Sequence, residues 1–508
     1  MKKICSAAEV RRLDQYTINQ EPISSFDLME RASGVFVEWF ERRFPDLATG
    51  VCCFCGPGNN GGDGLAVARL LHHLGYDVRV VLCQAGKGRS PDNEANLSRL
   101  PGQGAVPVLW LQEGDAYPDC RPGTVIVDAI FGSGLNRPLD DYWGGLLAHL
   151  NSLPATRIAI DVPSGVMPDS WSGGAAFAAH HTLSFELPKL AFMMPEYAPF
   201  VGEWEARSIG LHPEGLARAV AHFFMAEAGD IAAWLPARQK FSHKGGHGHA
   251  LLIAGSHGKV GAAVLAARGA LKAGAGLLTV HVPQCGYSIL QIAVPEAMAS
   301  VDAHQLQFST VPELGPYRAI GVGCGLGQGE LASRALGELI TKAQQPLVLD
   351  ADALNLLSAE PSWLLQLPEG SVLTPHPKEF ERLFGPSRDS FERLNRLREQ
   401  AQRLGQVILL KGAHTAIACP DGTVWFNPTG NPALATGGSG DVLTGIITAL
   451  MAQGLESWQG AVAGAYLHGL SADLAVAATE SEESFAAGQV AEWLGRAFKA
   501  ARAGGSPT

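Results

Sequence analysis

The sequence predicts an α/β protein built as two doubly wound, three-layer domains. Three observations carry this. At 508 residues the chain exceeds one ordinary core. Each half alternates short apolar runs with segments of helical periodicity, the pattern of a mostly parallel sheet covered by helices. Two glycine-rich stretches, GPGNNGGDG (56–64) and NPALATGGSGD (431–441), each lead into a helix.

In the first half, VCCFC (51–55) reads as a strand and 65–74 as a helix, with Val67, Leu70, Leu71 and Leu74 on one face and Gly75 as the stop. DVRVVLC (77–83), TVIVDAIF (124–131), TRIAIDVPSG (156–165) and HTLSFE (181–186) supply further strands. A boundary is expected near 211–229, after the turn LHPEG. A second series follows, with the strand HALLIAGS (249–256) and the Ala-rich helix 261–274. LLTVHVP, AIGVG, PLVLDAD, SVLTPHP and QVILLKG are read as strands, and 414–428 as a hairpin turning at Asp421-Gly422. Helices are expected at 440–453, 458–478 and 485–501. The domain expectation is thus 1–215, a linker at 216–228, 229–502, and a tail at 503–508.

The formal net charge of −11 argues against a broad basic surface, so no nucleic-acid partner is expected. The start, MKKICSAAEVRRLDQ, lacks the apolar core of a signal peptide, and no apolar run of membrane-spanning length is counted, so no membrane association is expected. Nine cysteines at no framework spacing suggest free thiols in a reducing cytoplasm. Cys52, Cys53 and Cys55 fit a buried strand better than a zinc site, which would need a second ligand pair at matching spacing.

Both glycine loops can receive an anion, because a helix start offers free N–H groups and its positive dipole end. GPGNNGGDG matches neither the dinucleotide fingerprint nor a Walker loop, so its residues alone leave a phosphate-bearing ligand or a plain tight turn open. Asp128 and Asp161 close strands, where ligands of open α/β sheets bind. With Asn60 and Ser164 they offer hard oxygen donors that suit a simple cation. In the second half Asp441 opens a helix just after Gly437, Gly438 and Gly440. It either accepts a proton from a hydroxyl beside a bound anion, as phosphoryl transfer requires, or merely complements the dipole. Lys411 in KGAHT, Asp350 and Asp352 in LDAD, and His376 in TPHPKEF stand at other strand ends; His376 is either structural or at the rim of a site.

On NNGGDG, DAIFGSGLNRP and DVPSG in the first half, and HKGGHG, GAAVLAARGALKAGAG, GVGCGLG, LDADALN, LTPHPKEF, LLKGAHT and NPALATGGSGDVLTG in the second, the chain resembles the bifunctional NAD(P)H-hydrate repair enzymes. The resemblance implies a Rossmann-like epimerase domain fused to a ribokinase-like dehydratase domain. It implies that Asn59, Asn60, Gly61, Gly62, Asp63 and Gly132, Ser133, Gly134, Leu135, Asn136, Arg137, Pro138 bind the hydrate, that Asn60, Asp128 and Ser164 hold potassium, and that Asp161 contacts the hydrated ring and transfers a proton. It further implies that Lys411, Gly412, Ala413, His414, Thr415 and Gly440 hold ADP, that Asp441 is the base, and that Ala262, Gly325 and His376 line the second hydrate pocket. Mg²⁺ and ADP are the expected cofactor and co-substrate, hydrated NADH and NADPH the small-molecule substrates, and a homo-oligomer in the cytoplasm the expected state. His257, Ala191, His414 and Ser439 depart from commoner family choices.

The resemblance also makes chemical sense of a fusion. Water added across the nicotinamide 5,6 bond creates a stereocentre at C6, and a specific dehydratase accepts one hand. Phosphorylating the C6 hydroxyl from ADP yields AMP and a good leaving group, whose departure restores NAD(P)H. The alternative is an ATP-dependent kinase of a small hydroxylated vitamin or sugar fused to a ligand-binding domain, since GGSGD alone fits both.

Overall fold

A computed structural model describes residues 1–84, 88–100, 105–135 and 137–504. The chain forms two compact units: Lys3–His222 with Asp389–Phe391, and Met1–Lys2 with Phe223–Arg388 and Glu392–Thr508. Within 216–228, read from the sequence as a linker, Phe223–Met225 is a strand of the second unit, paired in parallel with Val424–Phe426.

The first unit holds a seven-stranded sheet in the order Val108–Leu111, Asp77–Cys83, Gly50–Cys55, Val125–Ala129, Thr156–Ile160, His181–Phe185, Glu203–Arg207. All its pairings are parallel. Strand alternation places Cys53 and Cys55 against Leu65, Val67 and Leu71 on one face, and Cys52 and Phe54 against Trp143, Leu146 and Leu147 on the other. The cysteine run is therefore a core strand buried on both faces.

The helix after this strand spans Asn59–Leu74 and starts six positions before the expected Leu65. Glycine propensity hid its first turns. Tertiary packing demands those glycines: a Cβ on Gly61 would lie 1.8 Å from the Gly56 carbonyl oxygen, and one on Gly64 would lie 2.5 Å from Ala129 Cβ. The sequence reading also passed over the helices Ala7–Gln20 and Ser25–Arg43, which carry Ser6 and Ser24 as N-caps.

The second unit's sheet runs from the Met298–Val301 edge through Leu277–Val282, His249–Ile253, Ala319–Val322, Leu347–Leu349, Val372–Leu373 and Val407–Leu410, all parallel. It turns antiparallel at Ala416–Ala418 and Val424–Phe426, the predicted hairpin. The helices Val260–Lys272, Ser439–Ala452 and Ala487–Arg502 share one core with the long helix Ser457–Ala478. That last helix corrects the sequence count: by length and composition it is apolar enough to cross a membrane, yet most of it is buried within this unit's core.

Candidate functional site

In each sheet the strand order reverses direction beside the first strand of its series, which opens a crevice at the carboxyl ends. In the first unit the crevice lies between Gly50–Cys55 and Val125–Ala129. A cavity of about 710 Å³ occupies it, lined by Asn59, Asn60, Asp63, Gly132, Ser133, Gly134, Leu135 and Asp161 among others. Of the remaining expected contacts, Gly61 and Gly62 are buried in helix packing, Gly62 against the Met29 side chain. Arg137 and Pro138 are not among the lining residues. Asn136 lies outside the described residues.

Beneath the cavity Asp128 is fully buried. Its carboxylate accepts from Ser164 N (2.7 Å), Ser164 Oγ (2.6 Å) and Ile130 N (3.2 Å). Burial nevertheless pushes its pKa up to about 6. Asn60 Nδ2 donates to the Phe131 carbonyl (3.0 Å), and Phe131 N donates to Ser164 Oγ (2.8 Å). The structure thus brings Asn60, Asp128, Ser164 and Phe131 into one knot of oxygen atoms around a buried acid with neutral partners. That donor set fits a monovalent cation.

Asp161 sits at the end of the next strand with φ +59. Its Oδ1 accepts from Phe185 N (3.0 Å) and Ser184 Oγ (3.2 Å) and lies 2.8 Å from the ammonium of Lys189. Lys189 is 2% exposed, so its charge is solvated by this carboxylate and by the Phe185 and Leu187 carbonyls. Asp14 faces the same cavity and is raised to about 6, by burial first and then by the charges of Asp161 and Glu186. Asp63 stands well above the usual range, through burial and then Asp161. The sequence reading missed Lys189 and Asp14. Val10, Arg11, Asp14, Gln15 and Ile18 line the cavity at one-face helical spacing, a signal the sequence did hold.

The second unit has two cavities near the start of the helix Ser439–Ala452. One, of about 510 Å³, is lined by Lys411, Gly412, Ala413, Thr415, His376, Gly440 and His468 among others. The other, of about 430 Å³, is lined by Lys259, Ala262, Gly325, Ala351, Asp352 and Asp441 among others. His376 therefore lines the first of these rather than the cavity of Ala262 and Gly325. It caps the helix Pro377–Phe384: its Nδ1 accepts from Lys378 N (3.1 Å) and Glu379 N (3.2 Å). His414 stands beside the Lys411 cavity but is not among its lining residues, and burial lowers its pKa.

The helix start is built by Gly438, N-cap at φ +95, and by Gly440. A Cβ on Gly440 would stand 3.2 Å from Lys411 Nζ and 3.4 Å from Asp350 Oδ2. Lys411 pairs with Asp350 at 2.5 Å, and Thr444 Oγ1 donates to the other Asp350 oxygen at 2.9 Å. Burial works against the Lys411 charge, but Asp350 outweighs it and raises the ammonium. Asp441 is raised, by burial first; the Cys324 thiol and Lys411 oppose this, and Asp350 reinforces it. Asp352 is held below the usual range: Gln328, Gly327 and Lys259 outweigh its burial. His468 lowers toward about 4 through burial and donates Nε2–H to the Ser439 carbonyl (3.0 Å), which anchors the helix start. Of the departures, Ser439 donates Oγ–H to Leu434 O (2.9 Å), His257 N–H bonds Leu306 O (2.8 Å), and Ala191 is fully buried.

Among the described non-glycine residues, φ is positive at Pro22, Asp161, Glu186 and Ala351. Three of these line the cavities described above. Backbone strain of this kind persists where surrounding structure over-determines it, commonly at functional sites.

Comparison with known proteins identifies the lineage. A family model described as NAD(P)H-hydrate dehydratase matches residues 250–492, and one described as YjeF-related protein N-terminus matches 25–191. The chain is 37% identical to the bifunctional NAD(P)H-hydrate repair enzyme of Moorella thermoacetica, over 97% of this chain and 96% of that one. The chain belongs to the bifunctional NAD(P)H-hydrate repair enzymes. The Escherichia coli repair enzyme is 34% identical over 93% of this chain and 89% of its own. Among solved structures, an ADP/ATP-dependent NAD(P)H-hydrate dehydratase from Bacillus subtilis, co-crystallized with ATP/Mg²⁺, matches at 34% identity and TM-score 0.48, covering 55% of this chain and 98% of that chain. Membership in the repair family favours repair over the kinase alternative.

Proposed function

We propose that the first unit epimerises the C6 hydroxyl of hydrated NADH and NADPH, and that the second dehydrates one epimer at the expense of ADP, releasing AMP and phosphate. The observation that carries the reading is the first turn of Ser439–Ala452. Consecutive residues there face different cavities: Gly440 the one with Lys411, and Asp441 the one with Ala262 and Gly325. A nucleotide held along Lys411–Thr415 would bring its terminal phosphate to the helix amides at Gly440. A hydrate in the neighbouring cavity would present its hydroxyl to Asp441.

Asp441 then accepts the hydroxyl proton as the oxygen attacks phosphorus, and AMP leaves. Departure of phosphate from C6, pushed by the ring nitrogen lone pair, followed by loss of a proton from C5, restores the 5,6 double bond. Lys411 and the helix amides stabilise charge on the phosphoryl oxygens. Mg²⁺ would neutralise the nucleotide phosphates. Asp350 and Asp352 stand at the neighbouring strand end, engaged by Lys411, Thr444, Gly327 and Gln328, and would be the carboxylates available to help hold that metal beside the phosphates.

In the epimerase cavity Asp161, fixed by Lys189 and Phe185 N, is the proton-transfer group of the proposal, while Asn59, Asn60 and Gly132 to Leu135 hold the dinucleotide. Potassium would sit among Asn60, Asp128, Ser164 and the Phe131 carbonyl, and would offset the buried charge of Asp128. We propose further that 1–215 and 229–502 act as separable domains, and that the enzyme is a homo-oligomer in the cytoplasm, to be checked by light scattering and fractionation.

The deciding experiment incubates purified protein with Mg²⁺, ADP and hydrated NADH. Recovery of absorbance at the NADH band, with one phosphate released per NADH, supports the reading. Accumulation of a stable phosphate ester instead would replace it with the kinase alternative.

A further inference from the structure

One cluster lies apart from all three cavities. On the central sheet of the first unit, Cys52 and Arg79 are register partners on adjacent parallel strands. Arg79 Nη2 lies 3.5 Å from Cys52 Sγ and 3.5 Å from Cys120 Sγ, and donates to the Asp119 carbonyl at 2.8 Å. One guanidinium nitrogen therefore holds two thiols together and pins the segment that carries the second. Cys52 is 1% exposed, while Cys120 is 7% exposed and follows a run of mostly exposed residues.

We propose that Cys52 and Cys120 form a peroxide-responsive thiol pair, in which Cys120 is the attacking sulfur, Cys52 the resolving one and Arg79 the group that activates Cys120. The thiolate is the nucleophile in such chemistry, and a neighbouring cation favours it. Cys120 is lowered to about 7, by its contact with Cys52 first and by Arg79 after burial has opposed it. Burial instead raises Cys53, Cys55, Cys83, Cys324 and Cys419. Arg89 acts on Cys55 and Cys83 without outweighing their burial, and among the described residues no cation stands in hydrogen-bond contact with these five thiols, so they are expected to stay inert.

The oxidant is hydrogen peroxide. Cys120 sulfur attacks the O–O bond, an S–O bond forms, and the departing hydroxide takes a proton to become water. The Cys52 thiol gives up its proton and attacks the sulfenic sulfur, forming the S–S bond and expelling a second water. Two thiols lose two electrons, and one peroxide becomes two waters. The disulfide would tie the 112–124 segment to the strand Gly50–Cys55. A dithiol reductant reverses it.

The test treats the intact protein with stoichiometric peroxide, counts free thiols, and maps the non-reduced digest by mass spectrometry. The expected result is a loss of two titratable thiols and a Cys52–Cys120 linked peptide. C52S should leave a Cys120 sulfenic acid that dimedone traps, and C120S should leave Cys52 unmodified. Arg79→Gln should slow the reaction about tenfold, with Arg79→Lys recovering part of it. Oxidation that begins at the more exposed Cys285, or a wild-type product in which Cys120 is dimedone-trapped and unpaired, would overturn the proposal.

Discussion

The two glycine-rich helix starts differ in what their glycines are for. In NNGGDG the glycines face protein: Gly61 meets the Gly56 carbonyl, Gly62 meets Met29, and Gly64 meets Ala129 and Cys55. They let a helix dock tightly, while Asn59, Asn60 and Asp63 reach the cavity. In GGSGD a Cβ on Gly437 would meet nothing within 4 Å, Gly438 supplies a left-handed cap, and Gly440 leaves room for the Lys411–Asp350 pair at the helix start. The first loop's glycines all serve packing, whereas in the second only Gly438 packs on a side chain, that of Leu265, while Gly437 is open and Gly440 borders the charged pair. A glycine-rich motif therefore states that something comes close, and only the fold says whether it is backbone or ligand.

The acids at the two sites differ too. Asp161 is in direct contact with a buried lysine, whereas Asp441 bonds the Cys324 thiol and feels Lys411 and Asp350 only through their charges.

The largest expected effect breaks the second site. Asp441→Asn should cut kcat for ADP-driven dehydration about 10³-fold with little change in the KM for ADP. Since Asp441 must be ionised to act and is raised above 3.8, wild-type activity should fall with acid through a limb lying above that value. A rate–pH profile with its acid limb at or below 3.8 would contradict the assignment.

Next, the clamp on Asp161 can be released. Lys189→Met should slow epimer exchange, followed by chromatography of resolved hydrates, about 10²-fold, and lower stability by about 1–2 kcal/mol because it takes the cation away from a partly buried carboxylate. Asp161→Asn should abolish enzymatic exchange; if both variants exchange as fast as wild type, the pair has no part in it.

A smaller effect separates the glycines. Gly61→Ala should cost about 2–3 kcal/mol in urea unfolding, because the new methyl meets a carbonyl oxygen. Gly437→Ala should cost under about 0.5 kcal/mol. Equal costs would erase the distinction between a packing loop and a ligand loop.

The smallest is a potassium-dependent shift at the buried acid of the cation knot. With its folded pKa raised from 3.8 to about 6, Asp128 contributes stability that is present below 3.8 and lost as pH rises through 6, roughly 3 kcal/mol in all. Potassium should recover part of this, raising the melting midpoint more at pH 7.5 than at pH 5, by roughly 2–4 °C per kcal/mol of binding. A choline chloride control that matches potassium at both pH values would remove the cation from the site.

Much of this was legible in the chain. Apolar runs and glycine punctuation gave the inner strands of both sheets but not Val108–Leu111, Glu203–Arg207, Phe223–Met225 or Met298–Val301, and the hairpin turn at Asp421-Gly422 was readable from its dipeptide. The motifs named Asp161 and Asp441, since strand ends and helix starts are local features. By contrast, Lys189 reaches Asp161 from 28 positions away, and Lys411 reaches Asp350 from 61. No local pattern encodes those meetings.

By itself the sequence determined two parallel-sheet series, their glycine turns and the chemical types gathered at strand ends, because periodicity and turn chemistry act within a few residues. The tertiary structure alone decided which glycines touch protein, which acids are buried, that His376 caps a helix, and that Gly440 and Asp441 face separate cavities. Those outcomes depend on which distant strand ends become neighbours, and on how much water the resulting packing removes from each charge.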